Sequence, residues 1–169
     1  MADPTASAGS VLHDGAEVSY QIEGPPRAPV LVLVSSLGTT MALWDAQMSA
    51  LSAYFRVLRF DLPGHGRSSA PPGPYSVEQL GANLVALLDA LSVDRASCCG
   101  VSLGGIIGMW LAAHHPERVD RLVLAATAPV LGPASAWTDR AATVRHQGTA
   151  VLVDSLVLRW FTADYRERE

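Results

Sequence analysis

Apolar residues recur along the chain in two alternating periods. From Val11 the pattern first reads as strand: 11–13 and 17–22 flank Asp14 and Gly15, a pair that accepts the positive φ of a tight turn, so a β-hairpin is expected. The run 30–34 is apolar without interruption, which suits a strand covered on both faces and therefore a central one. Leu43, Trp44, Met48 and Leu51 then recur at helical spacing, and 57–60 returns to strand. After a Gly- and Pro-rich loop over 61–74, Ser76 and Gln79 have the spacing of a capping box. They precede Leu80, Leu84, Leu87, Leu88 and Leu91, one apolar helical stripe. A strand at 96–99, a helix carrying Leu103, Ile106, Ile107, Trp110 and Leu111 that stops near Pro116, and a strand at 122–126 complete the series.

Such alternation predicts an α/β domain with a mostly parallel sheet and helices on both faces, because each parallel neighbour needs a crossover that packs back onto the sheet. Beyond Pro133 the character changes. Residues 137–146 and 151–160 read as two helices, 166–169 as a charged tail, and no strand pattern returns. The expected organisation is a sheet core over 1–133, incomplete at its C-terminal strands, and a helical segment over 134–169. The first ten residues, small and polar, are expected to be a frayed lead-in.

Composition narrows the function. With 169 residues, 49% hydrophobic and 17% charged, the chain can bury a core, and its net charge of −4 argues against a basic nucleic-acid binder. All 12 basic residues are Arg, which excludes Schiff-base lysine chemistry and a Lys-bearing phosphate loop. Cys98 and Cys99 are adjacent, a spacing that suits neither an ordinary disulfide nor a zinc site and points to a reducing compartment. No apolar run has signal-peptide or membrane-span length, so a cytoplasmic protein without a membrane partner is expected.

The sharpest chemical signal is Gly100-Val101-Ser102-Leu103-Gly104-Gly105, a G-x-S-x-G pattern between an expected strand and an expected helix. A sharp strand-to-helix turn there would lift Ser102 above the sheet as a nucleophile, with glycines removing the side chains such crowding forbids. A Gly-rich turn that only lets a helix pack closely on a strand would leave the same pattern. A nucleophilic serine also needs donors for the negative charge of a tetrahedral intermediate. The N–H of Leu103 at the helix start is one candidate. Leu37, in the loop Ser35-Ser36-Leu37-Gly38 that follows the strand 30–34, is the second.

Three stretches resemble the α/β-hydrolase fold in order and spacing: 35–40 (Ser-Ser-Leu-Gly-Thr-Thr), 61–68 (Asp-Leu-Pro-Gly-His-Gly-Arg-Ser) and 100–105. With Trp44-Asp45, 71–76, 108–111, 116–119 and 159–162 as context, the chain is most similar to 3-oxoadipate enol-lactonases of the β-ketoadipate pathway of aromatic catabolism. The resemblance implies that Ser102 opens a small lactone as an acyl-enzyme, which water then releases as 3-oxoadipate, with no metal or organic cofactor. It also implies that 134–169 is the start of a helical cap, where Trp137 and Trp160 would wall a small ring; a substrate carboxylate would need local positive charge in this acidic chain, for which Arg140 and Arg145 are the candidates. Packing between cap and core, and solvation of Arg140 and Arg145 on a helix face, account for the same residues. For His65 the resemblance implies a structural role. His114 and His115 close a helix, where positive charge is favourable, and none of the five histidines is assigned to catalysis.

In this fold the acid and the histidine follow the serine on later loops. Here the position after the strand 122–126 reads Thr127-Ala128-Pro129, without a carboxylate, while Asp139 and Asp154 fall in the expected helices. In a comparable triad, loss of the serine or histidine costs about six orders of magnitude in kcat. The chain by itself is therefore expected to be nearly inactive and aggregation-prone, with a missing C-terminal segment or a second chain completing the fold. Two alternatives stay open: a general carboxylesterase or perhydrolase-like enzyme, and a non-catalytic hydrolase-like binding protein.

Overall fold

The computed structural model describes residues 6–168. The chain divides into two units, Met1–Pro129 and Val130–Glu169.

The first unit is built on a six-stranded sheet of order β1-β2-β4-β3-β5-β6. Its strands are β1 (Ser7–His13), β2 (Ala16–Glu23), β3 (Val30–Val34), β4 (Arg56–Phe60), β5 (Ala96–Val101) and β6 (Val119–Ala125). Asp14 and Gly15, both at positive φ, close the β1–β2 hairpin. β2 runs antiparallel to β4, and from β4 to β6 every pairing is parallel. The expected α/β architecture is thus present, with the uninterrupted apolar strand β3 between β4 and β5.

β3 shows how its sequence becomes packing. Leu31 and Leu33 point to one face, where they meet Trp44, Met48 and Val57 beneath helix α1 (Asp45–Leu51). Val32 and Val34 point to the other, onto Leu84, Leu87, Leu88, Ile107 and Leu111 from α2 (Val77–Ala90) and α3 (Leu103–His114). Burying such a side chain contributes about 1.5–3 kcal/mol, so this double-sided strand anchors the unit. The capping box at α2 is formed: the Ser76 hydroxyl accepts from the Gln79 N–H at 3.2 Å, and the Gln79 side chain accepts from the Ser76 N–H at 2.9 Å.

Several boundaries differ from expectation. β1 begins at Ser7 rather than Val11, so the second half of the expected lead-in is strand; residues 1–5 lie outside the described residues. An edge strand needs only its backbone to pair, and Gly9 lets Tyr20 lie across it, since a Cβ there would sit 2.9 Å from the Tyr20 hydroxyl. β6 starts at Val119, before its apolar run, because Val119 pairs with Ala96 through the backbone; it ends at Ala125, one residue short of the expected end. A short helix, Ala163–Arg166, runs into the start of the expected tail, its Tyr165 N–H capped by the Thr162 hydroxyl at 3.3 Å.

Among the described residues β6 pairs only with β5, and Val123 and Leu124, on its opposite faces, are both exposed. The second unit holds α4 (Ala134–Gln147), α5 (Val153–Trp160) and the short helix α6 (Ala163–Arg166), with no buried residue in any of them. No helix of the described residues is long and apolar enough to cross a membrane.

Candidate active site

Ser102 stands at the junction of β5 and α3, with φ 55° and ψ −116°. This left-handed region disfavours any side chain, and a serine held there is forced by its surroundings. Its N–H donates to the Ala125 carbonyl at 3.0 Å, while its own carbonyl accepts from the Thr127 hydroxyl at 2.7 Å and from the Gly105 N–H at 2.9 Å. The glycines do what the sequence pattern requires. A Cβ on Gly100 would lie 2.3 Å from the Gly104 carbonyl oxygen, and one on Gly104 would lie 2.2 Å from that of Val34. The same Gly104 Cβ would be 2.8 Å from the Ser35 carbonyl oxygen, so the start of α3 abuts the loop that leaves β3.

That loop carries Leu37. Residues 36–39 form a turn closed by the Thr39 N–H on the Ser36 carbonyl at 3.2 Å, with Gly38 at φ 78°. The Leu37 N–H and the Leu103 N–H have no acceptor among the described residues, whereas the Gly38 N–H is taken by His65 Nε2 at 2.9 Å. Two backbone donors without acceptors thus lie on adjoining segments, one of them next to a half-buried serine, and an oxyanion calls for donors of this kind.

The loop is held from below by polar contacts that sequence reading missed. The buried Asp61 carboxylate accepts from the Met41 N–H at 2.7 Å and from the Arg67 N–H at 2.9 Å, tying the segment after β3 to the segment after β4. Gly66 makes room for it, since a Cβ there would sit 2.1 Å from Asp61 Oδ2. Arg59, buried on β4, bonds the side chains of Asp45, Gln21 and Glu23 and reaches the Met41 carbonyl at 3.4 Å. The Ser35 hydroxyl accepts from Trp44 Nε1 and donates to the Thr40 carbonyl, both at 3.2 Å. Arg59, charged within the otherwise apolar run 57–60, was the available signal.

Cys98 and Cys99, both free, precede this turn on β5. Burial pushes the Cys98 thiol up to about 12 and raises that of Cys99, which keeps both protonated and poorly nucleophilic at neutral pH. Ser102 Oγ has no hydrogen bond to a histidine or carboxylate side chain among the described residues, and the residue after β6 that reaches the turn is Thr127.

In the second unit Trp137 and Arg140 come together: the guanidinium lies 5.5 Å from the indole centroid, and both line a cavity of about 360 Å³ with Arg159 and the segment 130–133. The Trp137 indole N–H donates to the Leu131 carbonyl. Trp160, at the end of α5, is exposed and does not line this cavity.

Residues 29–147 match the family described as alpha/beta hydrolase fold. The chain belongs to the α/β-hydrolase fold family. Within that family, 150 residues are 41% identical to 3-oxoadipate enol-lactonase 2 of Acinetobacter baylyi, covering 89% of this chain and 56% of the relative. The crystal structure of the enol-lactonase from Burkholderia xenovorans superposes with a TM-score of 0.92 at 45% identity, covering 95% of this chain and 63% of that one. A hydrolase from Pseudomonas aeruginosa superposes with a TM-score of 0.91 at 46% identity, over 95% of this chain and 62% of its own. The chain therefore spans a little over half the length of the α/β hydrolases it matches.

Proposed function

We propose that the whole protein is a carboxylic-ester hydrolase that opens a small lactone ring, 3-oxoadipate enol-lactone being the substrate named by its relatives. Ser102 Oγ attacks the lactone carbonyl, the carbonyl oxygen takes the negative charge, and the N–H groups of Leu37 and Leu103 stabilise it. The tetrahedral intermediate collapses by breaking the ring C–O bond, leaving an ester on Ser102 and an enol that becomes the ketone. Water then cleaves that ester and releases a free carboxylate.

The acid and the base that activate Ser102 come, in this reading, from a further segment or a second chain that completes the sheet beside β6. The exposure of Val123 and Leu124 on both faces of a parallel strand supports this, because such strands are ordinarily covered on both sides. Residues 134–169 act as a cap segment in this proposal, with Trp137, Trp160 and Arg140 contacting substrate and Arg140 meeting its carboxylate. The protein works without a metal or organic cofactor.

The observation that carries the mechanism is the left-handed Ser102 at the start of α3, with unoccupied backbone N–H groups on Leu103 beside it and on Leu37 in the loop that α3 abuts. The deciding experiment compares enol-lactone opening with hydrolysis of p-nitrophenyl esters by the whole protein and by its Ser102→Ala variant. Lactone turnover lost in the variant is the expected result. Rapid ester hydrolysis with no lactone opening would overturn the substrate, and turnover unaffected by the substitution would overturn the mechanism.

A further inference from the structure

His65 lies in the turn after β4, and its side chain is bonded at both ring nitrogens. Nε2 is 2.9 Å from the Gly38 nitrogen and Nδ1 is 3.0 Å from the Pro63 carbonyl oxygen. The Pro63 carbonyl can only accept, so Nδ1 carries the hydrogen. The Gly38 N–H can only donate, so Nε2 presents its lone pair. Both bonds are therefore satisfied by one species alone, the neutral Nδ1–H tautomer.

The turn that holds this ring is itself fixed. The His65 N–H donates to the Leu62 carbonyl at 2.9 Å, the Gly64 N–H to the Ser69 carbonyl at 2.8 Å, and the Ser68 N–H to the His65 carbonyl at 3.0 Å. Asp61 joins the same turn to the Met41 N–H. The loop after β3 is thus held at two points, at Met41 by a carboxylate and at Gly38 by an imidazole. Of these, the imidazole contact acts on the residue next to Leu37.

We infer that His65 is a positioning residue for the oxyanion loop: its neutral ring engages the Gly38 N–H and fixes the Leu37–Gly38 peptide, leaving the Leu37 N–H as the donor free to meet an oxyanion. The assignment rests on the proposed role of Leu37. The central peptide of a turn such as 36–39 can flip between two orientations, one of which asks for positive φ at its third residue. Gly38 takes that orientation, and the bond to Nε2 exists only in it. A ring without an acceptor nitrogen would leave the peptide free to flip and would release the Gly38 N–H to compete for the same charge.

The test begins with nuclear magnetic resonance on the ¹⁵N-labelled whole protein at about pH 8, above the ordinary titration of imidazole. The expected result is an Nδ1–H pattern for His65 together with a through-hydrogen-bond coupling between Nε2 and the Gly38 amide nitrogen. An Nε2–H pattern, or no coupling to Gly38, overturns the inference without any variant having to fold. In the whole protein, with p-nitrophenyl acetate as probe, His65→Leu should lower kcat about tenfold or more at nearly constant KM. His65→Gln, whose side-chain oxygen can accept from Gly38, should recover part of that loss. A His65→Leu enzyme of lower stability but unchanged kcat would reduce His65 to a structural residue and overturn the positioning role. Failure of lactone turnover would strike the proposed substrate and leave the spectroscopic result standing, so the two failures are distinguishable.

Discussion

The backbone at Ser102 gives a prediction that needs no substrate. A non-glycine residue at φ 55° and ψ −116° is strained by about 1–3 kcal/mol, whereas glycine adopts such angles freely. Comparing Ser102→Gly with Ser102→Ala removes the hydroxyl from both variants and leaves only the Cβ to differ. Against the relief of strain stands the greater freedom of glycine in the unfolded chain, about 0.4–1 kcal/mol. We predict a net advantage of about 1 kcal/mol for the glycine variant, read as a melting temperature about 2–4 °C above that of the alanine variant. Urea unfolding of both variants, with equal dependence on denaturant, checks that native and unfolded states are otherwise comparable. Ser102→Ala itself should unfold close to the unsubstituted chain, because the Ser102 hydroxyl has no hydrogen-bond partner among the described residues. A glycine variant that melts at or below the alanine variant would refute the argument, since it would mean that residue 102 is not held in a left-handed turn.

Gly104→Ala should behave oppositely: its Cβ would meet the Val34 carbonyl at 2.2 Å, backbone that cannot step aside, and a loss of about 1–3 kcal/mol or more in urea unfolding is predicted. Cys98 sets an alkaline limit. Its folded value is raised from 9.0 to about 12, so the folded state holds the proton longer than the unfolded one; stability is full below pH 9 and falls as pH rises towards 12, by up to about 4 kcal/mol. A Cys98→Ala variant whose alkaline loss, followed by unfolding between these limits, is as steep as that of the unsubstituted chain would contradict this. In the whole protein, Arg140→Gln is predicted to raise KM about tenfold for a carboxylate-bearing lactone and to leave a neutral ester nearly unaffected; equal effects on both would remove Arg140 from carboxylate recognition.

The sheet was legible in the sequence because its strands are double-faced. Residues 30–34 could be placed at the centre from their uninterrupted apolar run, and the structure sets them between β4 and β5. Edges were less legible. The small residues 7–10 pair through the backbone alone, and the polar start of β6 does the same, so neither leaves a hydrophobic trace. At the site, the spacing of Gly100, Ser102 and Gly104 announced the turn because close backbone approach excludes side chains. The polar supports of the loop after β3 left less, a charged Arg59 within the apolar run 57–60. Asp61, His65 and Arg59 reach Met41 and Gly38 from 18 to 27 positions away, and no periodicity records a partner at that distance.

The strain at Ser102 persists because the surrounding contacts over-determine it. Its N–H and carbonyl are fixed by Ala125, Thr127 and Gly105, bonds that contribute about 0.5–1.5 kcal/mol each, against a strain of about 1–3 kcal/mol. None of these three partners is an ionisable group, and none lies beyond Thr127. The position of Ser102 is therefore set by backbone and by one threonine within the first unit, independently of the acid and base that the proposed mechanism brings to it. The proposed donors follow the same rule, since the Leu103 N–H opens α3 and the Leu37 N–H lies in the turn closed by the Thr39 N–H on the Ser36 carbonyl. In the proposed mechanism, a base brought to Ser102 would meet a serine whose backbone is already fixed and backbone donors already in place, so that it need supply proton transfer and not geometry.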